Sequence, residues 1–501
     1  MDPTVNLGAL RGQPVIVGAT IAGLLTALHM GDTPCVLVSG VPQPAVGVLP
    51  AGLTALLEGG GTGMVRAAHT LEAGAGLARL DAVQCITSRM KHALTGLEQL
   101  GILSALAGCV SGAGLHAALL SVLAKRRNIT IIRSAMLRRL VLVEGYVRGA
   151  VIQAAGKIVV LDTNTVIAAG GGACGLYDER LVPGGSVGTQ MAVAARAGAV
   201  LSDLEFVQFH PFVLAGGASQ GTALAIPLDL CGSSPVVDEH GKNVVEPGQT
   251  RALATVEVSL WRAAGHAVFL DLRNALSGLP DVTGHEIDHF VQLCESQGLD
   301  PRREALPVKS AAAFHIGGIK TDLSGRTSVA GLWACGEVAC TGFHGASVLT
   351  GNPLLEAIVC SEIVARNVLE TTQETGTLDV SSLTPGLSLA EGMMSMVRPL
   401  VDTALGPVRE GNPLRQTLFR LSRFAGYDDV ALIAQMMALQ AYEREESRGV
   451  HCRADFPEVG AQARHSEIRE KTVPATVRSI AQETHDINAL NDRYQTIPLM
   501  N

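Results

Sequence analysis

Two glycine-bearing turns far apart in the chain carry the residues best suited to chemistry. The first is Gly18-Ala19-Thr20-Ile21-Ala22-Gly23, directly after the apolar run "PVIV". In a G-x-G-x-x-G turn that opens a helix, the first glycine permits the tight bend and the third permits close packing of helix on strand. The second lets a pyrophosphate reach the helix N-terminus. Thr20 stands at that second position. Its hydroxyl is able to hydrogen-bond a phosphate, but its Cβ obstructs close approach. The following strand ends in Ser39-Gly40 without an acidic residue for a ribose hydroxyl, so this turn alone is equally consistent with an ordinary βα connection. The second turn lies in "GLWACGEVACTG" and "CTGFHGASVLTGNPLLEAI". There a strand ends in Gly336-Glu337, and a glycine turn leads into a helix, as a second ribose- or phosphate-binding edge requires. A pocket for a small anion needs a fixed positive charge, and Val348 occupies the place where one is expected. With the strand end "VIAAGGG", the two turns together favour a cofactor site.

The elements that position these turns read as α/β. Residues 14 to 39 follow a strand, turn, helix, strand pattern, the first βαβ of a dinucleotide-binding fold. Residues 45 to 63 read as a glycine- and alanine-rich loop over the cofactor, and about 64 to 125 as helical. "NITIIRSAML" onward switches to short β-rich runs that resemble a meander returning to a parallel sheet. The segment from about 204 to 314 has a different texture and reads as a separate domain. Residues 389 to 447 show helical periodicity after a Thr- and Ser-rich linker, and the tail from about 480 is polar.

Composition narrows the class. With 47% hydrophobic residues, 17% charged and 56 glycines, 501 residues form a large core of small aliphatic side chains rather than a disordered chain. A net charge of −8 provides no basic footprint for nucleic acid. The ten cysteines contain no C-x-x-C pair and no Cys/His spacing suited to a metal, so they read as reduced core residues of a cytoplasmic protein. "PVIVGATIAGLLTALHM" is marginal in length for a membrane span, and its internal glycines favour a buried βα unit.

Several stretches together resemble the L-aspartate oxidases of the succinate dehydrogenase and fumarate reductase flavoprotein superfamily. They are "PVIVGATIAGLLTAL", "AARAGAVLSDLEFVQFHP", "FHIGGIKTDLSGRTSVAGLWACGEVACTGFHGA", "NPLLEAIV" and "EREESRGVHCRADFPE". The resemblance spans nearly the whole chain in order. It implies an FAD-binding Rossmann-like domain (1–203 and 315–384) interrupted by an α+β capping domain (204–314). A C-terminal helical domain (385–480) and a polar tail (481–501) follow. It implies non-covalent FAD, a small amino or dicarboxylic acid substrate, no nucleic acid or membrane partner, and quinolinate synthase as a candidate partner. The implied reaction is oxidation of L-aspartate to iminoaspartate, with oxygen or fumarate reoxidising the flavin. On the flavin side the matching positions are Gly18 through Gly23 (Ala19, Thr20, Ile21 and Ala22 between them), Gly52, Glu337, Pro353 and Leu354. Gly52 is the one glycine kept from a family Ala-Gln-Gly-Gly loop. Pro353 has no N–H for the flavin.

On the substrate side this chain departs from the family pattern. His210 matches an active-site histidine, with Phe212 in place of a threonine. Ala313 replaces a second histidine, while His315 is kept. Val348 replaces a carboxylate-holding arginine, and the Pro-Arg-Asp of the proton-shuttling arginine is missing, leaving Arg251 and Arg262 nearby but out of register. Orienting two carboxylates calls for guanidinium forks or several donors, and losing one partner of a buried charge pair costs about 2–5 kcal/mol. His210, His315 and His344 are the remaining candidates for a base, each equally a structural histidine. Three readings stay open at this point: an aspartate oxidase with a rearranged site, an oxidase of a less charged substrate, and a non-catalytic flavoprotein partner.

Overall fold

In the computed structural model, residues 10–40, 63–105, 112–181, 186–215, 224–232, 234–277, 285–371 and 393–482 are described. Among them, a five-stranded parallel sheet runs in the order Leu332–Ala334, Val166–Ala168, Val15–Val17, Cys35–Ser39, Ile129–Arg133. Its strands other than the edge Ile129–Arg133 are buried on both faces and so read as continuous apolar runs rather than alternating ones. The helix Ile21–His29 is apolar on nearly all sides. It is sandwiched between the sheet, the helix Gly112–Leu123 and the 19-residue helix Asn352–Glu370. The β-rich middle splits in two. Ile129–Arg133 joins the parallel sheet as its edge, and Ala135–Val143, Tyr146–Ala154 and Lys157–Asp162 form a separate antiparallel meander.

A second five-stranded sheet is antiparallel throughout, in the order Asn243–Val245, Val236–Asp238, Val268–Leu270, Leu306–His315, Val207–Leu214. The helix Arg251–Ala263 packs across it through Ala254 and Val258, which are four residues apart and share one face. The two long strands of this sheet run back to the parallel-sheet region, and their pairing is broken by register shifts at Lys309/Ala311 and Ala312/Phe314. Such bulges bend a strand and re-aim its side chains.

Near the C-terminus, the helices Met393–Ala404, Gly411–Leu421 and Asp429–Glu443 pack together, the last buried on all sides. The short strand Glu467–Ile468 pairs with Leu201–Ser202, extending a small sheet that also contains Gly318–Lys320 and Ala339–Cys340. The C-terminal region is thereby hydrogen-bonded into the first half of the chain. None of the described helices is long and apolar enough to cross a membrane. The nine cysteines within the described residues are all free.

Candidate active site

The first glycine turn is tight for reasons of contact. Gly18 has φ +116°, and a Cβ there would lie 2.4 Å from the carbonyl oxygen of Ala169, on the neighbouring strand's exit. A Cβ on Gly23 would lie 1.9 Å from the Gly18 carbonyl oxygen. Thr20 caps the helix: its hydroxyl accepts from the Gly23 N–H at 3.3 Å and donates to Ala169 O at 2.7 Å. That hydroxyl therefore closes the turn, and its donor hydrogen is spent within the protein. What the turn offers a phosphate is the first-turn backbone N–H groups at Ile21 and Ala22, which have no intrahelical acceptor. His116, on the helix Gly112–Leu123, braces the turn through its Nε2, 2.8 Å from Ala19 O.

Glu337 sits beside this turn, since a Cβ on the adjacent Gly336 would meet Ala22 Cβ at 2.7 Å. The His315 N–H donates to Glu337 Oε1 at 2.9 Å, and the Gly172 N–H also donates to the carboxylate. Burial outweighs those two hydrogen bonds and raises the carboxyl to about 7. Gly172 is required here, because a Cβ would lie 2.6 Å from both Glu337 Oε1 and His315 Cβ. A carboxylate has about four acceptor positions, so two backbone donors leave capacity for ribose hydroxyls. Glycine-lined strand ends, free helix-start amides and a buried acceptor together fit a dinucleotide such as FAD. Gly52 lies outside the described residues. Pro353 stands in the first turn of the helix Asn352–Glu370, leaving the Leu354 N–H as the nearer donor, and the Leu354 side chain is buried. Arg66 fixes this helix start from the helix Gly63–Ala73, donating to Thr350 O at 3.2 Å and Asn352 Oδ1 at 2.9 Å.

The three candidate histidines have different surroundings. His315 has no exposed surface. Its Nε2 lies 3.0 Å from Leu204 O, and burial lowers it to about 4, so the ring is neutral with Nε2 donating. It holds Glu337 in place through its backbone. His344 Nε2 lies 3.0 Å from Glu356 Oε2 with both side chains buried, and Thr341 donates to the other carboxylate oxygen at 2.5 Å. Phe314 and Phe343 enclose the His344 ring.

His315 and His344 each keep a buried Nδ1 without a partner among the described residues; in His210 it is Nε2 that is left over. Its Nδ1 accepts from the Phe212 N–H at 3.2 Å, and among the described residues nothing hydrogen-bonds its Nε2. Burial, and then the Arg251 guanidinium, depress it to about 4. Arg251 is the first residue of the cap helix, and its Nη2 donates to the Val348 carbonyl. Sequence register leaves Arg251 unassigned, and only the folded cap reveals that it reaches residue 348. Arg262, about three turns further along the same helix, donates instead to Val308 O within the cap sheet at 3.4 Å. Gln208 ties the strand to the turn, its Oε1 accepting from Ser347 Oγ at 3.2 Å and from Val348 N at 3.3 Å.

Residues 13–354 match the FAD binding domain family, and 416–497 match the fumarate reductase flavoprotein C-terminal family. The chain is 37% identical to the L-aspartate oxidase of Mesorhizobium japonicum, over 93% of this chain and 96% of that one. The chain belongs to the L-aspartate oxidase family. The Xylella fastidiosa (strain 9a5c) L-aspartate oxidase is 32% identical over 89% of this chain and 92% of its own. Family membership brings FAD as the cofactor. The solved structure of E. coli quinol fumarate reductase superposes with a TM-score of 0.78 at 21% identity, covering 91% of this chain and 94% of that one. That likeness is one of fold.

A charged network in "EREESRGVHCRADFPE" joins the C-terminal helices to the rest of the chain. Arg444 pairs with the fully buried Glu205 at 2.6 Å and with Glu446 at 2.7 Å. Arg448 pairs with Glu446 at 2.9 Å and donates to Ala75 O at 2.8 Å. Arg409 donates to Glu205 O at 2.6 Å and contacts His451 Nδ1 at 2.7 Å. The clustered charges are visible in the sequence, but Glu205 and Arg409, about 200 residues apart, carry no local signal that they join them.

Proposed function

We propose that the chain is a cytoplasmic FAD-dependent L-aspartate oxidase. It converts L-aspartate to iminoaspartate, with oxygen or fumarate as electron acceptor, and supplies quinolinate synthase in the first step of de novo NAD synthesis. In this reading 1–203 and 315–384 form the flavin domain, 204–314 the cap, 385–480 the helical domain and 481–501 a tail. The supporting observation is the neutral His210 ring on a cap strand, its Nε2 unengaged among the described residues and its charge opposed by Arg251, whose guanidinium reaches the Val348 carbonyl. Bound FAD supplies the acceptor for the hydride leaving the substrate Cα. Glu337 and the helix-start amides at Ile21, Ala22 and Leu354 hold it. His210 accepts the proton lost from the substrate amino group, and His315 and His344 act as positioning residues through Glu337 and Glu356. A substrate carboxylate near Arg251 offsets that cation and makes the His210 ring more basic than in the ligand-free site.

The test is anaerobic addition of L-aspartate to the FAD-reconstituted protein, following the visible flavin absorbance. Bleaching is expected. A flavin that stays oxidised while the Mesorhizobium japonicum relative's flavin bleaches would overturn the assignment.

A further inference from the structure

The helices Leu80–Ser88 and Asn352–Glu370 pack against each other. Ala82, Cys85 and Ile86 from the first, and Cys360, Ile363 and Val364 from the second, line a crevice of about 20 Å³. Each set follows the i, i+3, i+4 spacing of one helix face. Two half-buried thiols on separate helices therefore border one space, large enough for a water-sized molecule. Arg89, one turn beyond Cys85, donates through Nη1 to Cys85 Sγ at 3.0 Å and to Cys85 O at 2.8 Å. A guanidinium at a sulfur favours the anionic, nucleophilic form of a thiol. Other cysteines have the opposite setting. Cys174 and Cys340 lie beside the carboxylates of Glu337 and Asp203, and burial, then those carboxylates, push both thiols up. Across the crevice Cys360 is held as the thiol, by burial first and then by Glu356, and it also feels the charges of Cys85 and Arg89.

We propose that Cys85 and Cys360 form a peroxide-responsive thiol pair, in which Cys85 is the sulfur oxidised first and Cys360 the thiol that resolves it. The oxidant is hydrogen peroxide, which suits a crevice this small. The Cys85 sulfur attacks one peroxide oxygen, the O–O bond breaks, and the leaving hydroxide takes the Cys85 proton to become water. Cys85 is then a sulfenic acid. The Cys360 sulfur displaces the sulfenic oxygen: an S–S bond forms, the S–O bond breaks, and the hydroxyl leaves with the Cys360 proton as a second water. Two thiols are oxidised by two electrons and one peroxide is reduced to two waters. The bond joins Leu80–Ser88 to the helix whose first turn presents the Leu354 N–H. The inference rests on the function proposed above only for the source of the peroxide, which an oxidase releases when it passes two electrons to oxygen; the pair itself stands on the crevice and on Arg89.

The experiment treats the FAD-loaded protein with hydrogen peroxide and maps its cysteines by peptide mass spectrometry, before and after a thiol reductant. A linked peptide pair, Cys85 to Cys360, lighter by two hydrogens and separated again by the reductant, is expected before any other cysteine is oxidised. Cys360→Ser should abolish the link and leave Cys85 as a sulfenic acid that dimedone captures. Cys85→Ser should leave Cys360 unoxidised. Arg89→Met removes the donor at the sulfur and should slow Cys85 oxidation about tenfold, the worth of one hydrogen bond to a charged group. Absence of the Cys85–Cys360 link overturns the inference, as does another pair linking equally fast or Cys85 oxidised at the parent rate in Arg89→Met. Mapping the parent protein decides the matter even where a variant fails to fold. The two proposals fail separately, because added peroxide requires no turnover. The link formed in a protein whose flavin aspartate never bleaches defeats the oxidase and spares the pair. Bleaching by aspartate in a protein that never forms the link does the reverse.

Discussion

Replacing Glu337 by glutamine separates the cost of a buried carboxylate from its use. The carboxyl rises from 4.5 to about 7, chiefly because burial opposes its charge. The folded protein therefore binds this proton more tightly than the unfolded chain does. The resulting stabilisation is fully present below the unfolded value of 4.5 and is lost as pH rises through about 7. At about 1.4 kcal/mol per pH unit, the ionised side chain costs the FAD-free protein about 3 kcal/mol above neutrality. Glutamine still accepts from the backbone N–H groups of His315 and Gly172 but never ionises. FAD-free Glu337→Gln should match the parent in urea unfolding at about pH 4, below the unfolded value, and exceed it by about 3 kcal/mol at pH 8. FAD binding runs the other way. A ribose hydroxyl donating to the carboxylate favours its ionised form, so FAD binding to the parent should tighten as pH rises from 5 towards 7, by up to about tenfold per unit. Glu337→Gln should bind FAD more weakly and with no such slope. A variant no more stable than the parent at pH 8, or one that keeps the parent's pH slope for FAD, would refute the reasoning.

Other perturbations test other parts of the structure. Gly23→Ala places a methyl 1.9 Å from the Gly18 carbonyl oxygen and should force the first turn open; the purified protein should then show a loss of flavin absorbance relative to protein absorbance. Arg444→Met leaves Glu205 buried without its partner and should cost about 3–5 kcal/mol of unfolding free energy, most of it recovered when Glu205→Gln is added. His210→Asn should slow anaerobic flavin reduction by aspartate about a hundredfold or more. Because His210 is depressed to about 4, the ligand-free parent should show no His210 titration near 6.5 by NMR, its protonated form appearing only as pH falls through about 4.

Much of the flavin side is legible in the sequence because its determinants are local. A turn of Gly18 to Gly23 between an apolar strand and an apolar helix, and Gly336-Glu337 at a strand end, declare themselves within a dozen residues. Backbone geometry and the helix start depend on nearest neighbours, so residue type and spacing suffice. Even there the tertiary structure decided how one residue is used: the Thr20 hydroxyl looks available to a phosphate, yet it is taken by Ala169, about 150 residues away. The substrate side was decided almost wholly by the fold. By register, Val348 reads as a lost cation and Arg251 as a displaced one. The bend of the bulged cap strands, the docking of the cap helix and the apolar cluster under residue 348 bring Arg251 to the Val348 carbonyl. A charge has no fixed position along the chain, because a long side chain on a separately folded cap reaches its target from any register the packing allows; spacing determines which turn forms, and packing determines which charge reaches it.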